Sequence, residues 1–322
     1  MKDFKFNFIK WDGKRITKPG VYAGVPMDIY HTQDICDGPS VSSSNLRRCF
    51  MESPAHFYAE WSGNPKRVEP ADKPHFVIGR AVHHLMLGEK FFSKLFAVKP
   101  ETYPAEDKKT GEVTEKKWTR GAQYCKDWED KHLAAGRALL TNADLDNIRG
   151  MAERLAMNPL VRHGILNGYV ERSFFWKDDT GLWVKWRPDA IPGDGGDYAD
   201  LKTTQSVKWY DLQKTIFDRG YFMQLGLGRM GCRALKLPFT SASLVFVEKT
   251  NPWCDRVVTL KDHELDRGER ANRAALDAIA DHLKKGGRWP GPGGDREDAA
   301  NIELPEWAAK SIDDRLKYGI PT

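Results

Sequence analysis

No uninterrupted apolar run in this chain approaches the ~18–20 residues that a membrane-spanning helix requires. The opening residues, MKDFKFNFIKWDGKR, interleave charge with aromatics. They lack the apolar centre and small-residue cleavage site of a secretory signal, so a cytoplasmic protein with no membrane contact is expected. Cysteine is scarce: Cys36, Cys49, Cys125, Cys232 and Cys254 are scattered, odd in number and never paired as CxxC. That pattern argues against a disulfide framework, a zinc ribbon and a cysteine-ligated iron–sulfur cluster, and favours reduced, mostly buried thiols. Internal repeats and low-complexity tracts are absent too. A strong charge imbalance is also missing: 50 Lys and Arg against 45 Asp and Glu leave a net +5, compatible with a polyanionic partner without demanding one. What remains is 322 residues with 40% apolar and 30% charged side chains, the composition of a globular protein long enough for a substantial core.

Residues 1–40 read as an irregular N-terminal arm rich in turn formers. From Ser40 to Trp61 the serines cap a helix beginning at Ser43 or Ser44, with a break at Pro54. Gly63–Pro74 reads as a loop. FVIGRAVHHLMLG (Phe76–Gly88) has the spacing of a buried helix, with Val77, Ala81 and Leu85 at i, i+4 and i+8. Residues 101–120 are polar and aperiodic, a surface excursion. Helices are expected over about Trp118–Leu139 and Asp144–Met157, the latter opened by Thr141. Beyond Gly168 the period changes to that of strands: YVERSFFWKDD, GLWVKWRPDAI and DYADLKTT form a meander across turns of Asp, Thr, Gly and Pro. A helix from Lys208 to Leu235, two strands (SASLVFVEK and CDRVVTL) and a helix over Asp262–Lys285 stopped by Gly286-Gly287 follow. Residues 289–322 read as an extended C-terminal arm. The order predicts an α/β domain over 41–288, a central mixed β-sheet flanked by helices.

The chemistry concentrates in RPDAIPGDGGDYADLKTT, Arg187–Thr204. Asp200 and Lys202 are two apart on a strand and leave the same face. A short turn brings Asp189, on the preceding strand, to the same end of the hairpin. Two carboxylates there make a hard-oxygen site suited to Mg²⁺ or Mn²⁺. A lysine beside the ion can orient or help deprotonate a water and offset charge developing on a phosphate. An ordinary solvated Asp–Lys pair on a strand face is the alternative reading of the same spacing.

Pro188-Asp189, ten residues and then Asp200-Leu201-Lys202 resemble the motif of the PD-(D/E)XK nuclease superfamily. Further pieces are similar to its RecE-type exonucleases (exonuclease VIII), functional relatives of phage lambda exonuclease. These are Asn45-Leu46 after the serines, Ser53-Pro54-Ala55-His56-Phe57, Gly79-Arg80-Ala81-Val82-His83, Glu171-Arg172-Ser173, Thr203-Thr204, Tyr221 with Gln224, and Trp289-Pro290. The likeness runs from about Ser40 to Trp307. It implies a PD-(D/E)XK nuclease core, with Asp189 and Asp200 as metal ligands, His83 as a further ligand and Lys202 as the catalytic lysine. His83 would otherwise read as a core histidine; Gly79, one turn away, leaves room beside its ring. Glu171 is implied to steady the metal or its waters, though it also reads as an exposed strand residue. Gln224 matches the glutamine that follows on the helix behind the sheet. Where relatives continue to a tyrosine four residues later this chain has Gly228, so a tyrosine role there is lost or passes to Tyr221.

The resemblance implies a Mg²⁺-dependent (or Mn²⁺-dependent) 5′→3′ exonuclease on ends of linear double-stranded DNA. The product would be 3′ single-stranded overhangs for recombination. Kinship also implies a ring-like homo-oligomer and a single-strand annealing recombinase as partner. A 5′-phosphate pocket fits Ser44, Arg47 and Arg48, because a helix N-terminus supplies N–H groups and a positive dipole end. The same residues would also make a plain serine cap followed by solvent-facing arginines. Two other readings stay open: a structure-specific or restriction-like endonuclease of the same superfamily, and a catalytically silent DNA-binding module.

Overall fold

The aromatic and β-branched runs that read as strands lie at the centre of the molecule, in two five-stranded sheets. The computed structural model describes residues 4–67, 74–87, 92–106, 110–294, 299 and 301–319. One sheet runs in the spatial order Ile9–Lys10, Gly20–Ala23, Ser173–Lys177, Trp183–Trp186, Ser40–Ser42. The other runs Asp255–Thr259, Ser241–Glu248, Asp197–Thr204, Ala190–Ile191, Tyr169–Val170. Parallel and antiparallel pairs mix in both.

The same two stretches of chain feed both sheets. Tyr169–Val170 leads across Glu171-Arg172 into Ser173–Lys177, and Trp183–Trp186 returns across Arg187-Pro188-Asp189 into Ala190–Ile191. Each of these stretches, expected as one strand, is therefore broken in its middle. Pro188 has no N–H to give a ladder, so pairing stops there. Opposite it, Glu171 adopts a left-handed backbone with φ of 51°. Its N–H donates to the carbonyl of Asp189 at 3.0 Å, which holds the two kinks together. The seam between the sheets thus falls at Asp189.

The strand Asp197–Thr204 pairs in parallel with Ser241–Glu248 along its whole length and is covered on both faces. Period-2 alternation assigns the faces. Tyr198, Leu244 and Phe246 pack with residues of the helices Tyr221–Ala234 and Asp262–Lys285. Ala199, Leu201, Val245 and Val247 pack with the helices Pro74–Met86 and Asn142–Met157. Asp200 and Lys202 share the first of these faces.

Several elements follow expectation closely. The helix Ser43–Met51 starts behind Ser42, whose N–H donates to Asn45 Oδ1 at 2.9 Å. Asn142–Met157 opens on a Thr141–Asp144 capping box, and Asp262–Lys285 ends at Gly286. Others differ. The helix expected over Lys208–Leu235 is two, Trp209–Asp218 and Tyr221–Ala234, separated by Gly220 at φ 61°. The helix expected over Trp118–Leu139 is the shorter Gln123–Ala134, after which Ala138–Leu140 pairs with Phe96–Val98. The polar excursion at 101–120 contains an exposed hairpin of Thr102–Glu106 and Val113–Lys117, whose lack of burial explains its lack of apolar period. The N-terminal forty residues, expected to be irregular, supply the edge strand Ile9–Lys10 and its neighbour Gly20–Ala23 and bury Phe6, Ile16, Val21 and Tyr22. In the C-terminal arm, Glu306–Tyr318 is an exposed helix.

Candidate active site

Asp200 sits mid-strand and is 2% exposed, on the face covered by the helix Tyr221–Ala234. Gln224 projects from that helix and donates from Nε2 to Asp200 Oδ1 at 2.9 Å. Lys202 Nζ lies 3.3 Å from the same oxygen. Burial pushes the Asp200 carboxyl up to about 6; Lys202 and His83 pull against this and Asp189 adds to it. For Lys202, burial disfavours the charged form, but the Asp200 and Asp189 carboxylates outweigh it and the pKa rises. Lys202 is therefore an ammonium at neutral pH.

Asp189, at the seam, accepts the Leu201 N–H on Oδ2 at 2.6 Å, so its carboxylate is tied to the backbone between Asp200 and Lys202. His83 reaches it from the helix Pro74–Met86, with Nδ1 at 3.4 Å from the same Oδ2. The neighbouring His84 packs against the ring of Phe96 instead. A Cβ on Gly79 would sit 3.7 Å from Thr203 Oγ1, an ordinary contact, so the helix lies against the strand Asp197–Thr204 at this point without needing the glycine.

Glu171 faces Arg187, its Oε2 at 3.6 Å from Nη1. Arg187 is itself fixed by Ser173 Oγ, at 2.8 Å from Nε, and lies over the Tyr30 ring at 4.6 Å. That arginine braces the kink carrying Asp189. Tyr221 lies under two cations, with Lys202 Nζ at 5.3 Å and Arg47 Cζ at 5.8 Å from its centroid.

Gly228 has a direct steric cause. A Cβ there would stand 2.4 Å from Cζ2 of Trp186, whose indole occupies the space a side chain would take. Tyr221, one turn before Gln224 on the same helix, is the tyrosine beside Lys202.

A cavity of about 420 Å³ is lined among others by Ser44, Arg47, Arg48, Arg67, Lys185 and Arg219, and by the acids Glu52, Glu60 and Asp218; Arg47 connects it to the cluster through the Tyr221 ring. Arg47 donates to the Arg219 carbonyl at 2.7 Å. Arg48 is differently placed: its guanidinium is engaged by Glu52 and Glu60, which raise its pKa and neutralise its charge locally. Of the three residues expected around a terminal phosphate, Ser44 and Arg47 face the cavity without a carboxylate partner of that kind. Sequence reasoning missed Lys185. It is 2% exposed, and Nζ donates to the carbonyls of Tyr30 at 2.9 Å and Thr32 at 3.2 Å. Burial lowers its pKa to about 8, and burial together with Lys185, Arg187 and Arg67 lowers that of His31 to about 4. The available signal was a lysine inside the otherwise apolar run Trp183-Val184-Lys185-Trp186.

Among the described residues, no group of three His, Cys, Asp or Glu side chains is gathered closely enough to hold a metal ion as it stands. The donor chemistry nevertheless fits one. Asp189 and His83 stand together at the seam with Asp200 on the adjoining strand, and Asp200 is biased toward protonation by burial and by Asp189, a deficit of positive charge that a hard divalent cation offsets.

Comparison with known proteins agrees with this architecture. Residues 42–299 match the family described as PDDEXK-like domain of unknown function (DUF3799). Among solved structures, a putative exonuclease from Eubacterium rectale superposes with a TM-score of 0.58 at 12% identity, over 90% of this chain and 99% of that one. A phage-related exonuclease from Haemophilus somnus matches 56% of this chain and 91% of its own at 11% identity, with a TM-score of 0.28. An alkaline exonuclease from Laribacter hongkongensis matches 52% and 87% at 13% identity, with a TM-score of 0.24. No curated protein matches. A hairpin with acids and a lysine at its kinked end, set in a mixed sheet between helices, and a family match over most of its length agree: the chain belongs to the PDDEXK-like family, within the PD-(D/E)XK nuclease superfamily.

Proposed function

We propose that this protein is a metal-dependent exonuclease of the RecE type. It degrades linear double-stranded DNA from the 5′ end and leaves 3′ overhangs for recombination. The observation that carries this reading is the buried arrangement of Asp189, Asp200 and Lys202, with Gln224 bonded to Asp200 and His83 beside Asp189. Asp189, Asp200 and His83 would hold a divalent cation, Mg²⁺ or Mn²⁺. That ion supplies Lewis-acid polarisation of the scissile phosphate.

The chain's own residues do the rest. Lys202, held as an ammonium, lies where it orients the attacking water and stabilises the charge that builds on the phosphate oxygens. Gln224 fixes the Asp200 carboxylate and keeps one oxygen committed. Glu171 acts at one remove, through Arg187 and the kink that positions Asp189. The cavity at Ser44, Arg47 and Lys185 receives the terminal 5′-phosphate, because both cations are bonded to carbonyls rather than carboxylates, which leaves their charge to be offset by an anion. A polar pocket next to the cluster suits a chain end better than a continuous duplex, and this favours an exonuclease over an endonuclease. A homo-oligomeric ring and a single-strand annealing recombinase partner belong to the same proposal.

The test is digestion of linear duplex DNA beside a covalently closed circle, each end labelled separately, with Mg²⁺ or EDTA. Loss of the 5′ label from the linear duplex alone, only with Mg²⁺, is expected. Cutting of the circle would instead make the protein an endonuclease, and binding without cleavage would make it a silent module.

A further inference from the structure

The helix Trp209–Asp218, which follows the catalytic strand, keeps Trp209, Tyr210 and Phe217 in solvent, at 60%, 76% and 62% exposure. Its apolar inward residue is Leu212. At about 100° per residue the outward side chains fall in one arc of about 140°, in the order Trp209, Gln213, Phe217, Tyr210, Lys214. Asp218 borders the arc beyond Lys214 and is exposed, while Asp211 is half-buried next to it.

Lys214, the cation within the arc, is paired with Asp218; further cations stand on the neighbouring strand and at the two ends of the helix. Arg256, on the neighbouring strand Asp255–Thr259, stands over the Trp209 ring at 5.8 Å. Lys208 precedes the helix and Arg219 follows it, both exposed. Phe217 extends the surface through a parallel stack with Phe222, with centroids 6.5 Å apart and planes at 7°. The surface is also continuous with the candidate site. Asp218 and Arg219 line the cavity, and the Arg219 carbonyl accepts from Arg47.

We infer that this aromatic face is a stacking platform for single-stranded DNA, taking the bases parted from the duplex at the site. Flat rings set among cations match the two requirements of sequence-independent single-strand binding, a π surface for each base and positive charge for the backbone. Paired bases do not offer their faces, so the surface suits an unpaired strand rather than a duplex. The identity of that strand rests on the exonuclease reading; the binding itself does not require cleavage.

The experiment is fluorescence anisotropy with a labelled twelve-residue oligo(dT) in EDTA, using the full-length protein. Substitution of W209A with F217A should weaken binding about 25-fold or more, at about five-fold per lost stack. W209F with F217Y should restore affinity to within about two-fold, because aromatic character and not shape is the requirement. Unchanged affinity in the double alanine variant overturns the platform. Unchanged affinity with an altered elution volume on gel filtration also overturns it, and assigns the face to contacts between copies of this chain. Wild-type protein that binds oligo(dT) but leaves linear duplex intact in Mg²⁺ overturns the exonuclease reading alone and keeps the platform.

Discussion

Asp200 is asked to be both buried and charged. Its pKa near 6 lies above the ~3.9 of an unfolded chain, so between about pH 4 and 6 the unfolded state ionises first. Stability is fully present below pH 4 and falls as pH rises through that window, by roughly 2–3 kcal/mol from this group. Asp200→Asn should therefore raise the melting temperature of metal-free protein at pH 8 and leave it unchanged at pH 4, while cleavage disappears. An equal gain at both pH values would refute the account. Lys202→Ala should abolish cleavage in the same assays with the fold retained on circular dichroism. Asp189, Asp200 and Lys202 could be read from the sequence because spacing on strands dictates shared faces. The engagement of Arg48 by Glu52 and Glu60 could not, since Glu60 meets it only through the packing of two helices. Lys185 was hidden for the opposite reason: a lysine looks solvent-bound until its carbonyl partners, 153 and 155 residues away, are in place.

At the scale of elements, the helix Tyr221–Ala234 is held between an aromatic sheet face and a second helix, and glycines set both spacings. A Cβ on Gly268 would come within 2.1 Å of the Phe222 carbonyl, and one on Gly231 within 2.7 Å of Trp176. Gly268→Ala should push the helix pair apart and cost about 1–3 kcal/mol, measured by urea denaturation. Because Gln224 rides on that helix, the cleavage rate should fall in the same variant even where it is fully folded. A rate that stays at the wild-type value would show that the Gln224–Asp200 bond is not needed. The end of the long helix over Asp262–Lys285 was legible to the residue from the Gly286-Gly287 stop. The break at Gly220 was not, because apolar positions continue on both sides of it, and the left-handed backbone there (φ 61°) and the close approach of Arg47, 3.0 Å from a Cβ, exist only in the folded chain.

For the whole molecule, the N-terminal segment is part of the sheet that frames the cavity. Removing residues 1–36 would delete the strand Gly20–Ala23 from its pairing with Ser173–Lys177 and strip Lys185 of both carbonyl partners. Leaving such a buried cation unsatisfied, along with the exposed faces of Phe174 and Phe175, should cost more than about 3 kcal/mol. The truncated protein is expected to be insoluble or to melt without a cooperative transition. A truncation that melts like the full chain would show the segment to be an appendage. Composition could not reveal this, since strands of two and four residues are too short to carry a periodic signal. The indole of Trp186 in the space beside Gly228 also has a consequence across lineages. Positions 186 and 228 should drift as a pair, with relatives that carry a tyrosine at the second bearing a smaller residue at the first. Neither change should be tolerated before the other without passing through a damaged intermediate.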